Sequence, residues 1–225
     1  MTTLISLSNI NLISTNNKYI LKNINLDINK GDCIVFSGHN GAGKTTLFKV
    51  INGLVKPTSG NIKIFGNTIN NTIKKQIGYI PQINKFEKNL PISVRQTIEI
   101  GLLAKRSIFT KISKQDNNFI DNIAKNLEIY SLLDTPIGKL SGGEMQKVSI
   151  ARVLAQEANI ILLDEPLSHL DTKSQKNIIN IIEEIHSIKK ITILIILHNF
   201  EQIPKCCNKI ITMENGEIVK TELKN

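Results

Sequence analysis

Apolar and polar residues alternate through Leu4–Ile13 and again through Tyr19–Ile28, with an asparagine-rich turn between them. This period of two predicts two strands of an antiparallel layer. A further short strand, Asn61–Gly66, follows the turn at Pro57–Gly60, and Asn215-Gly216 between apolar runs in Met213–Val219 predicts a hairpin. Three other stretches are apolar without alternation: Cys33–Phe36, Asn159–Leu163 and Ile191–Leu197. Such runs read as buried strands, and Asn159–Leu163 as a central strand of a parallel sheet. The period lengthens between about Asn84 and Glu157, where Val94–Ala104, Asp116–Ile129 and Glu144–Gln156 carry apolar residues at helical spacing. Ser141, three residues before Glu144, fits a capping box. Thr45–Ile51 reads as a helix ending at Asn52-Gly53, and Asn177–Ile188 as another, with His186 on its surface.

Composition narrows the class. The chain has 225 residues, 41% of them hydrophobic, enough for one sizeable domain or a domain with a subdomain. It has no run of about 20 apolar residues, so no transmembrane helix is expected. Met1–Ser6 lacks the basic start and apolar run of a signal peptide. The net charge of +9 is spread over scattered lysines, with only short groups such as Lys74-Lys75 and Lys105-Arg106. Without a basic stripe and interleaved aromatics, nucleic-acid binding is not expected. The three cysteines, Cys33, Cys206 and Cys207, are not a disulfide framework and point to a reducing compartment. Cys206-Cys207 has no C-x-x-C spacing and no histidine cluster beside it, so both read as core or surface thiols rather than metal ligands.

The chemistry sits where strands end. Gly38-His39-Asn40-Gly41-Ala42-Gly43-Lys44-Thr45-Thr46 fills the pattern G-x-x-x-x-G-K-[ST] between an apolar strand and a helix. Glycines let the backbone wrap a phosphate, and the helix N-terminus favours an anion. Lys44 is then expected to contact the β- and γ-phosphates, with the Thr45 hydroxyl on Mg²⁺. Asp164 and Glu165 close the central strand, where α/β sheets bind ligands. Asp164 is placed to hold the metal, and Glu165 to polarise a water for attack on the γ-phosphate. His198 follows directly on the last apolar run and is expected at the same sheet edge.

In these segments the chain resembles the ATP-binding subunits of ABC transporters over nearly its whole length. The Walker A motif is Gly38–Thr46, the Q-loop resembles Gln82 in Ile77–Gln82, and the signature is Leu140-Ser141-Gly142-Gly143-Glu144. The Walker B motif is Ile160–Asp164 with Glu165 as catalytic glutamate. The D-loop resembles Ser168–Asp171, and the switch histidine His198. Departures are Glu144 where Gln is commoner, Leu197-His198-Asn199 in place of Thr-His-Asp, and Ser14 and Thr15 where the family usually stacks adenine on an aromatic. Tyr19, the nearest aromatic, is out of that register.

The resemblance implies a single domain over 1–225: a P-loop NTPase α/β core (about 1–83 and 157–225) with an antiparallel β layer and an inserted helical subdomain (about 84–156). It implies ATP and Mg²⁺ as ligands, with Gln82 at nucleotide and metal. It also implies catalysis by Glu165, His198 and Lys44. Ser141, Gly142 and Gly143 would face the γ-phosphate bound on an opposite protomer. The implied partners are a second such subunit, an integral-membrane permease at whose cytoplasmic face the chain works, and a substrate-binding protein. The stretch Gln82–Arg95, with Phe86, Leu90, Pro91 and Ile92, is expected to dock the permease. Asn89–Arg95, Ile108–Asp116 and Pro136–Lys139 look similar to zinc, manganese and iron import ATPases, whereas Ser168–Asp171 looks more like iron-chelate and cobalamin importers. A soluble ABC protein acting on nucleic acid or ribosomes is the alternative class. A monomeric P-loop kinase leaves Leu140–Glu144 unexplained.

Overall fold

The computed structural model describes residues 2–82, 91–106 and 111–224. Two strands, β1 (Thr3–Ile13) and β2 (Tyr19–Asn29), pair antiparallel as the alternation predicts. β3 (Cys33–Ser37) then runs into α1 (Lys44–Ile51), and β4 (Ser59–Ile64) returns to pair with β1. After the short α2 (Asn71–Lys74) comes β5 (Ile77–Ile80). Three helices follow: α3 (Val94–Lys105), α4 (Lys114–Asn126) and α5 (Gly142–Ala155). The chain ends as β6 (Ile160–Asp164), α6 (Thr172–Lys189), β7 (Thr192–Ile196), and the hairpin β8 (Lys209–Glu214) and β9 (Glu217–Leu223).

The strands form a three-stranded sheet, β2-β1-β4, and a six-stranded sheet, β5-β6-β7-β3-β8-β9. The latter is parallel except for β9. The three runs without alternation, in β3, β6 and β7, occupy its centre. Successive side chains on a strand point to opposite faces, and here each face meets its own core. Ile34 and Phe36, Ile160 and Leu162, and Leu194 and Ile196 pack on the side of α1 and the antiparallel sheet. Cys33 and Val35, Ile161 and Leu163, and Ile193 and Ile195 pack on the side of α5 and α6. Phe36 meets Phe48 of α1 edge to face, centroids 5.3 Å apart.

The expected helices are present with their boundaries shifted by a few residues. Ser93, Ser113 and Ser141 each accept from the third residue of the helix they open, and that residue's side chain returns to the serine backbone. α3 and α5 cross closely at Gly101, where a Cβ would lie 1.9 Å from the Arg152 carbonyl oxygen. His186, expected at the surface, is instead half-buried, its Nε2 2.9 Å from the Gly31 carbonyl oxygen. That carbonyl accepts only, so Nε2 carries a proton and the ring ties α6 to the turn before β3.

Candidate functional site

Parallel strands that share a direction deliver the residues following them to one edge. The glycine loop follows β3, Asp164 and Glu165 close β6, Gln82 lies just past β5, and His198 just past β7. The glycine loop, Glu165, Gln82 and His198 line one cleft of about 610 Å³, and Asp164 is joined to it through the hydroxyl of Thr45.

The loop's shape depends on glycine where the chain has positive φ: Gly38 at 140° and Gly43 at 99°. A Cβ on Gly38 would lie 2.1 Å from the Met213 carbonyl oxygen, and one on Gly43 2.9 Å from that of Ile20. Lys44 turns inward, donating to the carbonyls of Gly38 at 2.7 Å and His39 at 3.0 Å. Burial lowers its pKa, while the carboxylates of Glu165 and Asp164 act in the opposite sense. Asn40, Gly41, Ala42 and Thr46 line the cleft, whereas His39 is exposed with Nδ1 against the Asn40 carbonyl.

At the end of β6, Asp164 accepts from the Thr45 hydroxyl and from the Tyr79 hydroxyl, each at 3.0 Å. Burial raises the Asp164 carboxyl, and these hydrogen bonds offset part of the rise; burial likewise pushes the Tyr79 phenol up. A hydroxyl and a carboxylate in contact beside the phosphate loop form an all-oxygen donor set that fits a hard cation such as Mg²⁺.

Glu165 has a left-handed backbone (φ 51°), a conformation that non-glycine residues adopt at a cost. One carboxylate oxygen accepts from Gln82 Nε2 at 2.8 Å; the other lies 2.7 Å from His198 Nε2. The carboxylate thus lies in the same cleft as the glycine loop, and a carboxylate there can accept a proton.

Ser141, Gly142 and Gly143 are not in this cleft. Ser141 caps α5, and Gly142 and Gly143 begin it against the start of α6, where a Cβ on Gly142 would touch Leu170 and one on Gly143 would touch Ser174. Asp171 caps α6 there by accepting from the Ser174 amide at 3.0 Å. Ile20 and Tyr79, to which the sequence assigned no role, and Ser168 of the D-loop stretch lie at or beside the site. Ile20, not Tyr19, lines the cleft beside the loop; Tyr19 is 53% exposed. Ser168 lines it too and donates to the Glu165 carbonyl at 2.9 Å. Tyr79 supports Asp164, and its signal was a hydroxyl in an otherwise apolar strand ending at the active edge.

A separate groove of about 640 Å³ runs between the six-stranded sheet and the helices, lined by Leu54, Tyr79, Pro81, Ile92, Ile100 and Met145, among others. Leu54 is 62% exposed and Ile100 49%. Phe86 and Leu90, expected to dock a permease, and Ile108–Thr110 of the import-like stretch lie outside the described residues.

A parallel sheet with a glycine loop after one strand and paired acids after its neighbour but one defines a P-loop nucleotide hydrolase. Residues 21–168 match the ABC transporter family model. The phosphonates import ATP-binding protein PhnC of Fusobacterium nucleatum is 37% identical, across 97% of this chain and 92% of its own length. The high-affinity zinc uptake system ATP-binding protein ZnuC of Bacillus subtilis is 32% identical, across 88% and 86%. The dimeric post-hydrolysis structure of the ATP-binding cassette MJ0796, bound to ADP and Pi, superposes with a TM-score of 0.85 at 26% identity, covering 98% of each chain. The chain belongs to the ABC transporter family and is an ATP-binding, ATP-hydrolysing subunit. Subunits of this kind are peripheral to the membrane. Among the described residues no helix is long and apolar enough to cross one.

Proposed function

We propose that two copies of this chain close head to tail around two ATP molecules at the cytoplasmic face of a membrane, and that their hydrolysis cycle drives a separate permease. The observation that carries the catalytic part is the Glu165 carboxylate, held between Gln82 and His198 beside the glycine loop. In this reading Gly38–Thr46 wraps the phosphates with its backbone amides, and Lys44 neutralises their charge. Thr45 and Asp164, with Gln82, would hold Mg²⁺, which supplies charge neutralisation at the phosphate oxygens when bound. Glu165 takes the proton of the attacking water, and His198 positions the γ-phosphate. Ser141, Gly142 and Gly143 supply their hydroxyl and amides to the partner's nucleotide. What supports pairing is that these three stand outside their own cleft, while the related cassette MJ0796 is dimeric. Sedimentation of Glu165→Gln with and without ATP tests it: a shift to the dimer is expected, and an unchanged coefficient defeats the pairing.

For the permease contact, the apolar groove at Ile92 and Ile100 is suited to a helix presented by the permease's cytoplasmic side. Ile100→Glu is expected to abolish co-purification with the permease while leaving basal ATP hydrolysis intact; retained co-purification rejects this groove. For the cargo we propose a metal cation delivered by a substrate-binding protein, a reading supported by the resemblance of Pro136–Lys139 and by the zinc-uptake relative. The phosphonate-import relative, with higher identity, favours an anionic cargo as the second reading. ATP-driven uptake of Zn²⁺, Mn²⁺ and a phosphonate into proteoliposomes holding the permease encoded beside this chain decides between them.

A further inference from the structure

The three cysteines, read from the sequence as unrelated thiols, come together in space. Cys33 opens β3, and Cys206-Cys207 lies just before β8. Because β3 and β8 pair in parallel, with Ile34 opposite Lys209, their first residues meet at one edge although more than 170 positions separate them. The Sγ atoms of Cys33 and Cys207 are 3.0 Å apart, those of Cys33 and Cys206 3.4 Å, and all three lie within 4.8 Å of one another. All are free thiols; Cys33 and Cys207 are buried and Cys206 half-buried.

We propose that Cys33, Cys206 and Cys207 form a binding site for one thiophilic d¹⁰ cation, Zn²⁺ or Cu⁺, at the sheet edge opposite the nucleotide.

Geometry and donor chemistry both favour this. Three thiolates around a cation with metal–sulfur bonds of about 2.3 Å stand about 3.8–4.0 Å apart; Cys33 Sγ lies closer than this to both partners, so the sulfurs would part by up to about 1 Å to admit the ion. Soft sulfur donors select Zn²⁺ and Cu⁺ over the hard cations that suit Thr45 and Asp164. The backbone carrying the thiols is fixed from outside the trio. The Cys33 amide donates to Asn208 Oδ1 at 3.0 Å, and the Asn208 amide to the Cys33 carbonyl at 3.0 Å. Asn208 in turn donates from Nδ2 to Asp32 at 2.9 Å, and the Cys207 amide donates to the Pro204 carbonyl at 3.1 Å. Outer hydrogen bonds of this kind hold metal ligands in place. Lys224 acts electrostatically on Cys207, so positive charge is at hand for a thiolate-rich centre. The half-exposed Cys206 supplies an entry path. On binding, three S–H bonds break, three metal–sulfur bonds form and three protons pass to solvent, so affinity rises with pH. The site is distinct from the ATP cleft: β3, five residues at about 3.3 Å each, separates Cys33 from the start of the phosphate loop. Its occupancy would fasten the first third of the chain to the last.

The test uses the full chain, purified with a non-thiol reductant and stripped of metal. Zn²⁺ and Cu⁺ are titrated in separate arms against chromophoric chelators, with Mg²⁺ as control. One equivalent per chain is expected in at least one soft-metal arm, bound at least about 100-fold more weakly by Cys206→Ser and Cys207→Ser. A thiol-labelling reagent should react with the half-exposed Cys206 in the metal-free chain and be excluded from it in the loaded one. Cys206→Ser, at the half-exposed position, is checked for folding by its unchanged ATP affinity. Soft-metal binding equal in parent and Cys206→Ser, no retention of either cation, or Cys206 labelled as readily in the loaded chain as in the metal-free one would each overturn the proposal. So would a Cys33–Cys207 disulfide in the loaded chain.

Discussion

Replacing Glu165 by Gln separates catalysis from binding, and the size of the effect follows from what the carboxylate touches. Its two oxygens face Gln82 Nε2 at 2.8 Å and His198 Nε2 at 2.7 Å. A glutamine there has one acceptor and one donor. With its oxygen toward the Gln82 amide, its NH₂ meets His198, whose Nε2 accepts once the ring carries its proton on Nδ1. Both contacts therefore survive in altered form, and the ground-state change stays near the 1 kcal/mol of a single hydrogen bond. Removing a negative charge from a cleft that takes a polyanion does not oppose ATP, so affinity should be equal to or above the parent's. The lost proton acceptor should slow the chemical step about 10²–10⁴-fold, or about 2.7–5.5 kcal/mol in the barrier. The assay is ATP affinity measured beside single-turnover hydrolysis. His198→Ala should also slow turnover with binding kept, whereas Lys44→Ala removes the ammonium held inside the loop and should weaken ATP binding itself. Hydrolysis by Glu165→Gln at near the parent rate would refute the assignment of Glu165.

Three further changes test the fold around the site. Gly101→Ala should destabilise by about 1–3 kcal/mol in a denaturant titration, because its Cβ would meet the Arg152 carbonyl oxygen at 1.9 Å and force α3 off α5; an unchanged midpoint contradicts that close crossing. Burial raises the Asp164 carboxyl above 3.8, so the folded chain holds this proton more tightly than the unfolded one and loses stability as pH climbs past 3.8. Asp164→Asn should thus melt at or above the parent temperature at pH 7, with the gain vanishing below pH 4, while losing Mg²⁺-dependent hydrolysis; a lower melting temperature at pH 7 refutes the sign. Asp116 is the opposite case. The Arg106 guanidinium, and then Ser113, lower it from 3.8 to about 2, so its stabilisation is complete above 3.8 and lost as pH falls through 2. Asp116→Asn should melt lower than the parent at pH 6 and like it near pH 2, and a deficit unchanged across that range would exclude the ion pair as its cause.

What was legible in the sequence was whatever a short window encodes. The alternation in Leu4–Ile13 and the unbroken apolar run in Ile191–Leu197 each report how many faces of a strand are buried, and both strands formed. Ser141 and Glu144 are three apart, so their cap could be read without tertiary knowledge. Gly38–Thr46 carries its own geometry, since the glycines, Lys44 and Thr45 are contiguous. Features that depend on which strands are neighbours were hidden. Tyr79 supports Asp164 only because β5 lies beside β6, and the cysteine trio exists only because β3 lies beside β8. His186 reads as a surface residue until the Gly31 turn is packed beneath α6.

The two ends of β3 show how one parallel sheet sorts chemistry by direction. Every strand beside it runs the same way, so residues following β3, β5, β6 and β7 must converge, and residues preceding β3 and β8 must converge at the other end. The first edge gathers a glycine loop, carboxylates, an amide and an imidazole, groups suited to phosphate and a hard cation. The second gathers sulfur. Within one protomer the first edge lacks Ser141, Gly142 and Gly143, which stand at the start of α5. On the proposed pairing, hydrolysis waits for a second chain to bring those groups. A lone protomer then has its base, Glu165, held by Gln82 and His198, but lacks the donors that would stabilise charge developing on the γ-phosphate. On that pairing, futile turnover would be limited by where α5 starts, without a separate inhibitory element.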